Sequence, residues 1–140
     1  MIVTFVHHSC FVVETEERTL VFDYFENGKV KGFEFTGVLP EFRKEKPVYV
    51  FASHAHQDHF DLAVFTWADK YEHIRYIFSK DIKLSDRYLE RNGISSKVKE
   101  KITFVNFYKS YAIDDMEVKT LHSTDQGVAF LVCAEGKTIY

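Results

Sequence analysis

The chain has 140 residues, of which 46% are hydrophobic and 28% are charged, so it can bury one core and is not expected to be disordered. Its formal net charge of −3 gives no reason to expect nucleic acid as a partner. No apolar run approaches the roughly 18 residues of a membrane span, and no signal peptide is visible at the N-terminus. We therefore expect a cytoplasmic protein with no membrane partner.

Strands are predicted at both ends of the chain and helices in its middle. Alternating apolar residues predict short antiparallel strands at residues 2–6, 10–14 and 19–24, followed by a loop over the core up to Pro47. Later elements are a buried strand at 47–52, a helix at 61–71, a strand at 74–78, a helix from its cap at Ser79 to about Arg91, and strands at 103–107, 111–113, 117–121, 128–133 and 138–140.

The order of these elements indicates an α/β (α+β) fold. Strands that alternate with helices in the middle predict parallel pairing, with hairpins at the edges. The length fits one domain at residues 1–140. Cys10 and Cys133 both lie in apolar strand-like runs, so we predict buried free thiols rather than a disulfide or a redox pair.

The most informative feature is the run His-Ala-His-Gln-Asp-His at residues 54–59, directly after the buried strand. Imidazole and carboxylate are ligands of zinc, iron and manganese. His54 and His56 are two residues apart, so extended backbone sends both side chains to one side, where they can bind one ion. If the backbone turns after His56, Asp58 and His59 can serve a second ion nearby. The alternative is a polar loop with surface histidines.

His-x-His-x-Asp-His is also the best-known signature of the metallo-β-lactamase superfamily, and this chain resembles that family. The resemblance implies a metallo-β-lactamase-like αβ/βα sandwich, of which residues 1–140 form the N-terminal half. It also implies that His122, on the same face of its strand as Val118 and Thr120, is the third ligand of the His54 and His56 ion. A lone histidine at a strand end is otherwise usually solvated.

Two further features near the N-terminus resemble the family. Asp23, which ends the run Leu-Val-Phe-Asp at 20–23, looks like the aspartate beneath the metal loop, which accepts hydrogen bonds and orients that loop without binding metal. Residues 8–14 resemble the opening of the lactonase-like branch, whose members often carry a histidine at the position of His8, behind the ligands. The alternatives are an ordinary aspartate at a turn and a histidine in the turn between two strands.

The C-terminus departs from the family pattern. In the family, a bridging aspartate and a last metal histidine follow the strand that reads here as residues 138–140. The first site therefore has three predicted protein ligands, whereas the second has only Asp58 and His59. We expect a domain that is incomplete at its C-terminus and is completed by the missing C-terminal half or by a second chain.

The resemblance implies a metal-dependent hydrolase with one or two divalent ions, zinc ahead of manganese or iron. A metal-bound hydroxide would attack a lactone, ester, amide or phosphodiester of a small-molecule substrate, and Asp58 would be a catalytic residue that orients it. Two other classes stay open. One is a mononuclear iron oxygenase on the same fold. The other is a catalytically silent half-domain that serves as an assembly partner, in which case the isolated chain is inactive.

Overall fold

The apolar runs of the sequence form ten strands in a computed structural model that describes all 140 residues. The strands are Ile2–His7 (β1), Cys10–Glu14 (β2), Thr19–Phe22 (β3), Val48–Ala52 (β4), Ile74–Ser79 (β5), Ile102–Val105 (β6), Ser110–Ile113 (β7), Met116–His122 (β8), Val128–Ala134 (β9) and Lys137–Ile139 (β10). Helical structure is limited to one α-helix, Asp86–Arg91 (α1), and two 3₁₀ helices, Leu62–Asp69 and Ser96–Lys101.

The strands form two sheets. One sheet has six strands in the order β1-β2-β3-β4-β5-β6, and the other has four in the order β10-β9-β8-β7. In the first sheet β1, β2 and β3 pair antiparallel, and β3 to β6 pair parallel. All pairs in the second sheet are antiparallel. The predicted parallel middle with hairpins at the edges is confirmed, as is the α/β (α+β) class.

Strand β4 shows why the six-stranded sheet is covered on both faces. All five of its residues are buried, and their side chains alternate between two cores because successive residues in a strand point to opposite faces. Val48, Val50 and Ala52 pack in a core beneath the helical segments. Tyr49 and Phe51 pack in a second core, between the two sheets. Because β4 is packed on both faces, the start of the loop that follows it has a fixed position.

The predicted helix from Ser79 to Arg91 is wrong in its first half. Ser79 is the last residue of β5, where it pairs with Val105 and is buried. The α-helix begins only after Ser85, whose hydroxyl accepts a hydrogen bond from the Tyr88 backbone N–H at 3.1 Å. Residues 80–84 instead form a turn that buries Ile82 in the core, so tertiary packing overrides the helical spacing.

The strand predicted at 19–24 ends at Phe22, and from there to residue 47 the chain has no strand and no helix, in agreement with the predicted loop over the core. The loop is held by Asp61, which caps the 3₁₀ helix through the Ala63 backbone N–H and also accepts hydrogen bonds from the Glu26 backbone N–H at 2.9 Å and from Lys29 Nζ at 2.5 Å. The predicted helix at 61–71 is thus a 3₁₀ helix at Leu62–Asp69. This arrangement ties the loop to the segment that follows the histidine run.

Two smaller predictions concern the cysteines and the membrane. Both cysteines are free, as predicted, but only Cys10 is buried and Cys133 is half-buried. Burial, together with the nearby charge of Asp23, raises the pKa of Cys10 to about 12, so this thiol stays protonated and is a poor metal ligand. No helix of the structure combines the length and the apolar character that crossing a membrane requires.

Candidate metal centre

Residues 53–59, which we call the histidine loop, leave the six-stranded sheet at the carboxyl end of β4. Asp23 follows the carboxyl end of β3, the parallel neighbour of β4. Polar side chains of both strands therefore meet at one edge of the sheet, the edge at which open α/β sheets usually bind ligands.

Asp23 anchors the histidine loop at two points. Its carboxylate accepts hydrogen bonds from the Ser53 backbone N–H at 2.7 Å and from Ser53 Oγ at 2.6 Å. It also accepts one from His59 Nδ1 at 2.8 Å. Asp23 is buried and has a left-handed backbone with a φ of 49°, a conformation that is uncommon for residues other than glycine. Both ends of the loop are thus bound to one carboxylate beneath it.

The hydrogen bonds of Ser53 fix the tautomer of His54. The Ser53 hydroxyl has one proton, which it donates to Asp23, so it must accept from His54 Nδ1 at 3.0 Å. His54 Nε2 is then left with a lone pair. This atom is buried and has no hydrogen-bond partner. Burial, and next the neighbouring His59, lower the pKa of His54, so the ring is neutral at pH 7. A neutral imidazole with a free lone pair is the form that binds metal.

His54, His56 and Asp125 form a first group of ligand-type side chains. Asp125 Oδ2 lies 3.5 Å from His54 Nε2 and 3.3 Å from His56 Nδ1. The three ligand atoms all lie within 4.8 Å of one another, close enough to surround a single ion. The unpartnered buried Nε2 of His54 faces this space, so the donor set fits a divalent metal.

Gly127 explains how Asp125 reaches the histidine loop. Asp125 lies in the turn between β8 and β9, and the next strand begins with a hydrogen bond from the Val128 backbone N–H to the Ser53 carbonyl at 2.9 Å. Gly127 has a φ of 68°, and a Cβ at this position would collide with that carbonyl and lie 2.9 Å from the Cβ of His54. Only glycine allows the turn this close approach.

His122, which the sequence suggested as the third ligand, lies outside this group. It is exposed at the end of β8, where its Nδ1 is 2.5 Å from the Ser123 carbonyl and its ring packs against Phe107 at 4.7 Å between centroids. The burial alternation that covers Thr120 does not extend to His122. In the structure Asp125, three residues later, lies beside His54 and His56 instead.

A second group consists of His8, Asp58 and His59. Asp58 Oδ2 lies 2.9 Å from His8 Nε2 and 3.4 Å from His59 Nε2. Burial acts to raise the pKa of Asp58, but its backbone hydrogen bond and the two histidines outweigh it, so the pKa is below its ordinary value. For His59, burial acts to lower the pKa, but the hydrogen bond to Asp23 and the charges of Asp23, Asp58 and Asp125 together outweigh it, so the pKa is above its ordinary value. His59 therefore takes part both in the hydrogen bonds by which Asp23 anchors the histidine loop and in this second group.

The two groups are neighbours, and His54, Asp125 and His59 line one cavity. The ring centroids of His54 and His59 are 4.0 Å apart. Both rings line a cavity of about 740 Å³, and its lining also includes the apolar side chains of Phe11, Phe22 and Phe130. Its volume is within the range of about 300–1,000 Å³ typical of small-molecule sites.

Sequence reasoning missed two residues of this site. The first is Asp125; the run Ser-Thr-Asp-Gln-Gly at 123–127, a turn sequence directly after a strand, was a signal that could have identified it. The second is Asp81, whose Oδ2 accepts a hydrogen bond from the Ala55 backbone N–H at 3.0 Å, between His54 and His56. No spacing rule connects residues 55 and 81, because the contact depends on the parallel pairing of β4 with β5.

Comparison with solved structures shows the same fold in larger proteins. CmlA, a diiron β-hydroxylase from Streptomyces venezuelae, matches 97% of this chain at 14% identity with a TM-score of 0.55. A possible metal-dependent hydrolase from Veillonella parvula matches 95% of this chain at 12% identity with a TM-score of 0.54. A protein of unknown function from Enterococcus faecalis matches 97% of this chain at 17% identity with a TM-score of 0.54. At such identities the similarity shows the fold alone.

The chain spans only part of the length of these structures: 28% of CmlA, 42% of the Enterococcus protein and 58% of the Veillonella protein. Among curated proteins, none matches this chain. A model of the beta-lactamase superfamily domain matches residues 2–140. The chain has the metallo-β-lactamase fold that the histidine run predicted, and it belongs to the beta-lactamase superfamily.

Proposed function

We propose that this chain carries the metal centre of a metal-dependent hydrolase. The observation that carries the proposal is His54 Nε2, a buried imidazole nitrogen that has no hydrogen-bond partner and faces Asp125. A buried polar atom without a partner is costly in a folded protein unless a ligand satisfies it. Hydrolysis is also the chemistry named for the Veillonella structure, a possible metal-dependent hydrolase of the same fold.

His54, His56 and Asp125 would hold one divalent ion, and Asp58 and His59 would contribute to a second. Imidazole and carboxylate donors suit zinc, manganese and iron, and zinc is our first choice for a hydrolase. When bound, such an ion lowers the pKa of a coordinated water and polarises the bond under attack. Asp23 would keep His59 and, through Ser53, His54 in the orientation that binding needs.

Asp58 is our candidate catalytic residue. Its carboxylate is half-buried, and its pKa is below the ordinary value despite burial, so it is ionised at neutral pH. Oδ2 faces the space between His8 and His59, where it can accept a hydrogen bond from an attacking water and orient it. The substrate would be a small molecule with a lactone, ester, amide or phosphodiester bond, its apolar part against the phenylalanines that line the cavity.

Two other functions have specific support. An iron oxygenase is favoured by the fold shared with CmlA, a diiron β-hydroxylase, because the same donors bind iron. A silent half-domain that assembles with further polypeptide is favoured by the partial coverage of the solved structures. Iron that supports oxygen consumption would favour the first. A metal-free chain that associates with a partner would favour the second.

The decisive experiment compares Asp125→Ala with His122→Ala. Each protein is stripped with a chelator, reloaded separately with zinc, manganese or ferrous iron, and analysed for bound metal. We expect the wild type and His122→Ala to bind equal amounts and Asp125→Ala to lose one equivalent, because only Asp125 lies beside His54 and His56. Loaded wild type is then assayed on lactone, ester, amide and phosphodiester substrates.

Two results would contradict the proposal. Wild type that binds none of the three metals would remove the metal centre. Metal loss in His122→Ala but not in Asp125→Ala would restore His122 as the ligand and refute the assignment of Asp125. Metal binding without turnover of any substrate class would favour the half-domain.

A further inference from the structure

We propose that His8 is a direct ligand of the second divalent ion, together with Asp58 and His59; this inference rests on the metal centre proposed above. His8 lies in the turn between β1 and β2, 50 residues before Asp58, yet its Nε2 is 2.9 Å from Asp58 Oδ2. His59 Nε2 is 3.4 Å from the same oxygen. These atoms converge within 4.8 Å of one another, as those of the first group do.

The backbone at His8 has an uncommon conformation, and its ring contacts Asp58. His8 has a φ of 55°, in the left-handed region, and the pairing of β1 with β2 is irregular between Phe5 and His7. Strain of this kind persists where the surrounding structure enforces it and is frequent at binding sites. His7, one residue earlier, instead packs its ring against Phe25 and Phe35. The irregular turn thus separates two adjacent histidines, one packed among aromatic rings and one at the site.

The ring of His8 is held by its neighbours on two sides. The Phe33 ring packs edge-on against it at 4.7 Å between centroids, and the His59 ring lies at 5.2 Å. A ligand that is already oriented loses less side-chain entropy when it binds an ion. The loop that supplies Phe33 is fixed through Asp61 and Lys29, so the position of the ring is set by the fold.

The hydrogen bond that His59 makes to Asp23 decides which of its ring nitrogens faces the ion. Its Nδ1 donates to the Asp23 carboxylate, which can only accept, so Nε2 carries the lone pair when the ring is neutral. That atom faces Asp58, and Asp58 faces His8. The chain therefore supplies three ligands for each of two adjacent ions. For the second ion this is one ligand more than the two that the sequence led us to expect.

The competing role for His8 is a hydrogen bond that merely orients Asp58. His8→Gln separates the two roles, because a glutamine side chain can still donate to Asp58 Oδ2 but its amide is a weak ligand for zinc. His8→Asn is a second variant, since asparagine tolerates a left-handed backbone. His73→Ala is the control. His73 is exposed and precedes β5, at the opposite edge of the sheet.

The measurement is zinc bound at saturation in chelator-stripped and reloaded protein, with the absorption spectrum of the cobalt-substituted form as a second readout. We expect two equivalents in the wild type and in His73→Ala, and one in His8→Gln and His8→Asn. The cobalt spectrum of these two should retain only the bands of the ion bound by His54, His56 and Asp125. Thermal unfolding shows whether each variant is folded.

The outcomes separate this inference from the proposed function. Two equivalents in a folded His8→Gln or His8→Asn would reduce His8 to a hydrogen-bond donor and overturn the inference, while the metal centre stands. If the wild type binds one equivalent and Asp125→Ala binds none, the second ion and the role of His8 are refuted, while the first ion stands. No metal in the wild type would remove the proposed function together with the inference.

Discussion

The two ends of the six-stranded sheet hold a buried arginine and a buried histidine in opposite ways. At the end where β3 begins, the side chain of Arg18 is only 3% exposed, and every nitrogen of its guanidinium has an acidic partner. Asp115 accepts from it at 2.7 and 2.8 Å, Glu135 at 3.0 Å and Glu17 at 2.9 Å. At the end where β4 stops, His54 Nε2 is just as deeply buried and has no partner.

This difference distinguishes a structural cluster from a ligand site. The Arg18 cluster ties the turn before β3 to the turns that contain Asp115 and Glu135, so it joins the two sheets. Its four hydrogen bonds all go to carboxylates, so the guanidinium is held by charged partners and offers no lone pair to a metal ion. The histidine end leaves acceptor atoms free inside a fixed frame of hydrogen bonds. We expect changes at the first end to alter stability without altering metal binding, and changes at the second end to alter metal binding.

The largest effect is expected for Gly127→Ala. The added Cβ would collide with the Ser53 carbonyl and would also lie 2.9 Å from the Cβ of His54, in a left-handed backbone. Strain and overlap together should lower the free energy of unfolding by about 2–4 kcal/mol. Because relief of the overlap moves Asp125 away from His54, metal affinity should fall as well. Urea denaturation and a metal titration measure the two effects.

Gly136→Ala is the matched control for this change. Gly136 has a φ of 69°, almost the same as that of Gly127, but no atom lies within 4 Å of a Cβ at this position. The substitution should cost about 1 kcal/mol from backbone strain alone and leave metal binding unchanged. Equal losses in the two variants would show that close approach to the histidine loop is not what requires glycine at position 127.

Removal of Arg18 tests the end at which β3 begins. Arg18→Met keeps much of the side-chain volume but leaves Glu135, which is mostly buried, without its cation. We expect the free energy of unfolding to fall by about 2–3 kcal/mol, near the lower limit for breaking a buried ion pair, because Asp115 and Glu17 are exposed. Urea denaturation measures the loss, and bound metal should be unchanged.

Glu17→Gln is the control for the Arg18 cluster. Glu17 is 63% exposed, and an exposed partner of this kind contributes only about 0–1 kcal/mol. A folded Arg18→Met variant that loses metal would contradict the independence of the two ends.

The sequence predicts the strands of this molecule and their pairing better than it predicts which residues complete the candidate metal site. The buried strand before His54 and the parallel pairing of β4 follow from apolar runs and element order, which are local signals. The start of α1 was harder to predict, because Ser79 has the chemistry of a helix cap but lies in β5, where it pairs with Val105. Local propensity does not show which partner strand lies alongside.

In the candidate site, too, some residues follow from local sequence signals and others depend on long-range packing. His54 and His56 are defined by their spacing, whereas the third residue of their group depends on how a distant turn packs against the loop. Resemblance pointed to His122, the last residue of β8, but the strand ends with that side chain exposed. Gly127 then brings the turn, and with it Asp125, against Ser53. This packing is a property of the assembled sheets and not of either segment.

Asp23→Asn tests the frame beneath the histidines. An amide in place of the carboxylate cannot accept from Ser53 and His59 at the same oxygen with the same strength, so both ligand rings lose orientation. Metal affinity should fall by about 10- to 100-fold while the protein stays folded. Competition with a chromophoric chelator measures the affinity.

Asp114→Asn is the corresponding change at the other end. Asp114 accepts a hydrogen bond from the Tyr49 hydroxyl at 2.7 Å, far along the strand from the histidine loop. Metal affinity should be the same as in the wild type. A similar loss of affinity in both variants would mean that Asp23 acts through general stability and not by orienting the ligands.

The smallest effect concerns Asp61, a saturated carboxylate at the histidine end. Burial acts to raise its pKa, but hydrogen bonds from Lys29, Ala63 and Glu26 outweigh it, so the pKa lies below the ordinary 3.8. A folded-state pKa below the unfolded one adds stability above the unfolded value, and this stability is lost as the pH falls through the folded value. Metal-free wild type should therefore lose stability below about pH 4, by about 1 kcal/mol from this group.

Asp61→Asn isolates that contribution, because every other titrating group is common to both proteins. The difference in free energy of unfolding between wild type and Asp61→Asn should be largest at neutral pH and shrink as the pH falls below about 4. Urea denaturation in the presence of a chelator measures it. A difference that is constant with pH would mean that the Asp61 charge is not stabilised by its donors. In that case full hydrogen bonding would not by itself identify a structural group, and the contrast between the two ends of the sheet would rest on Arg18 alone.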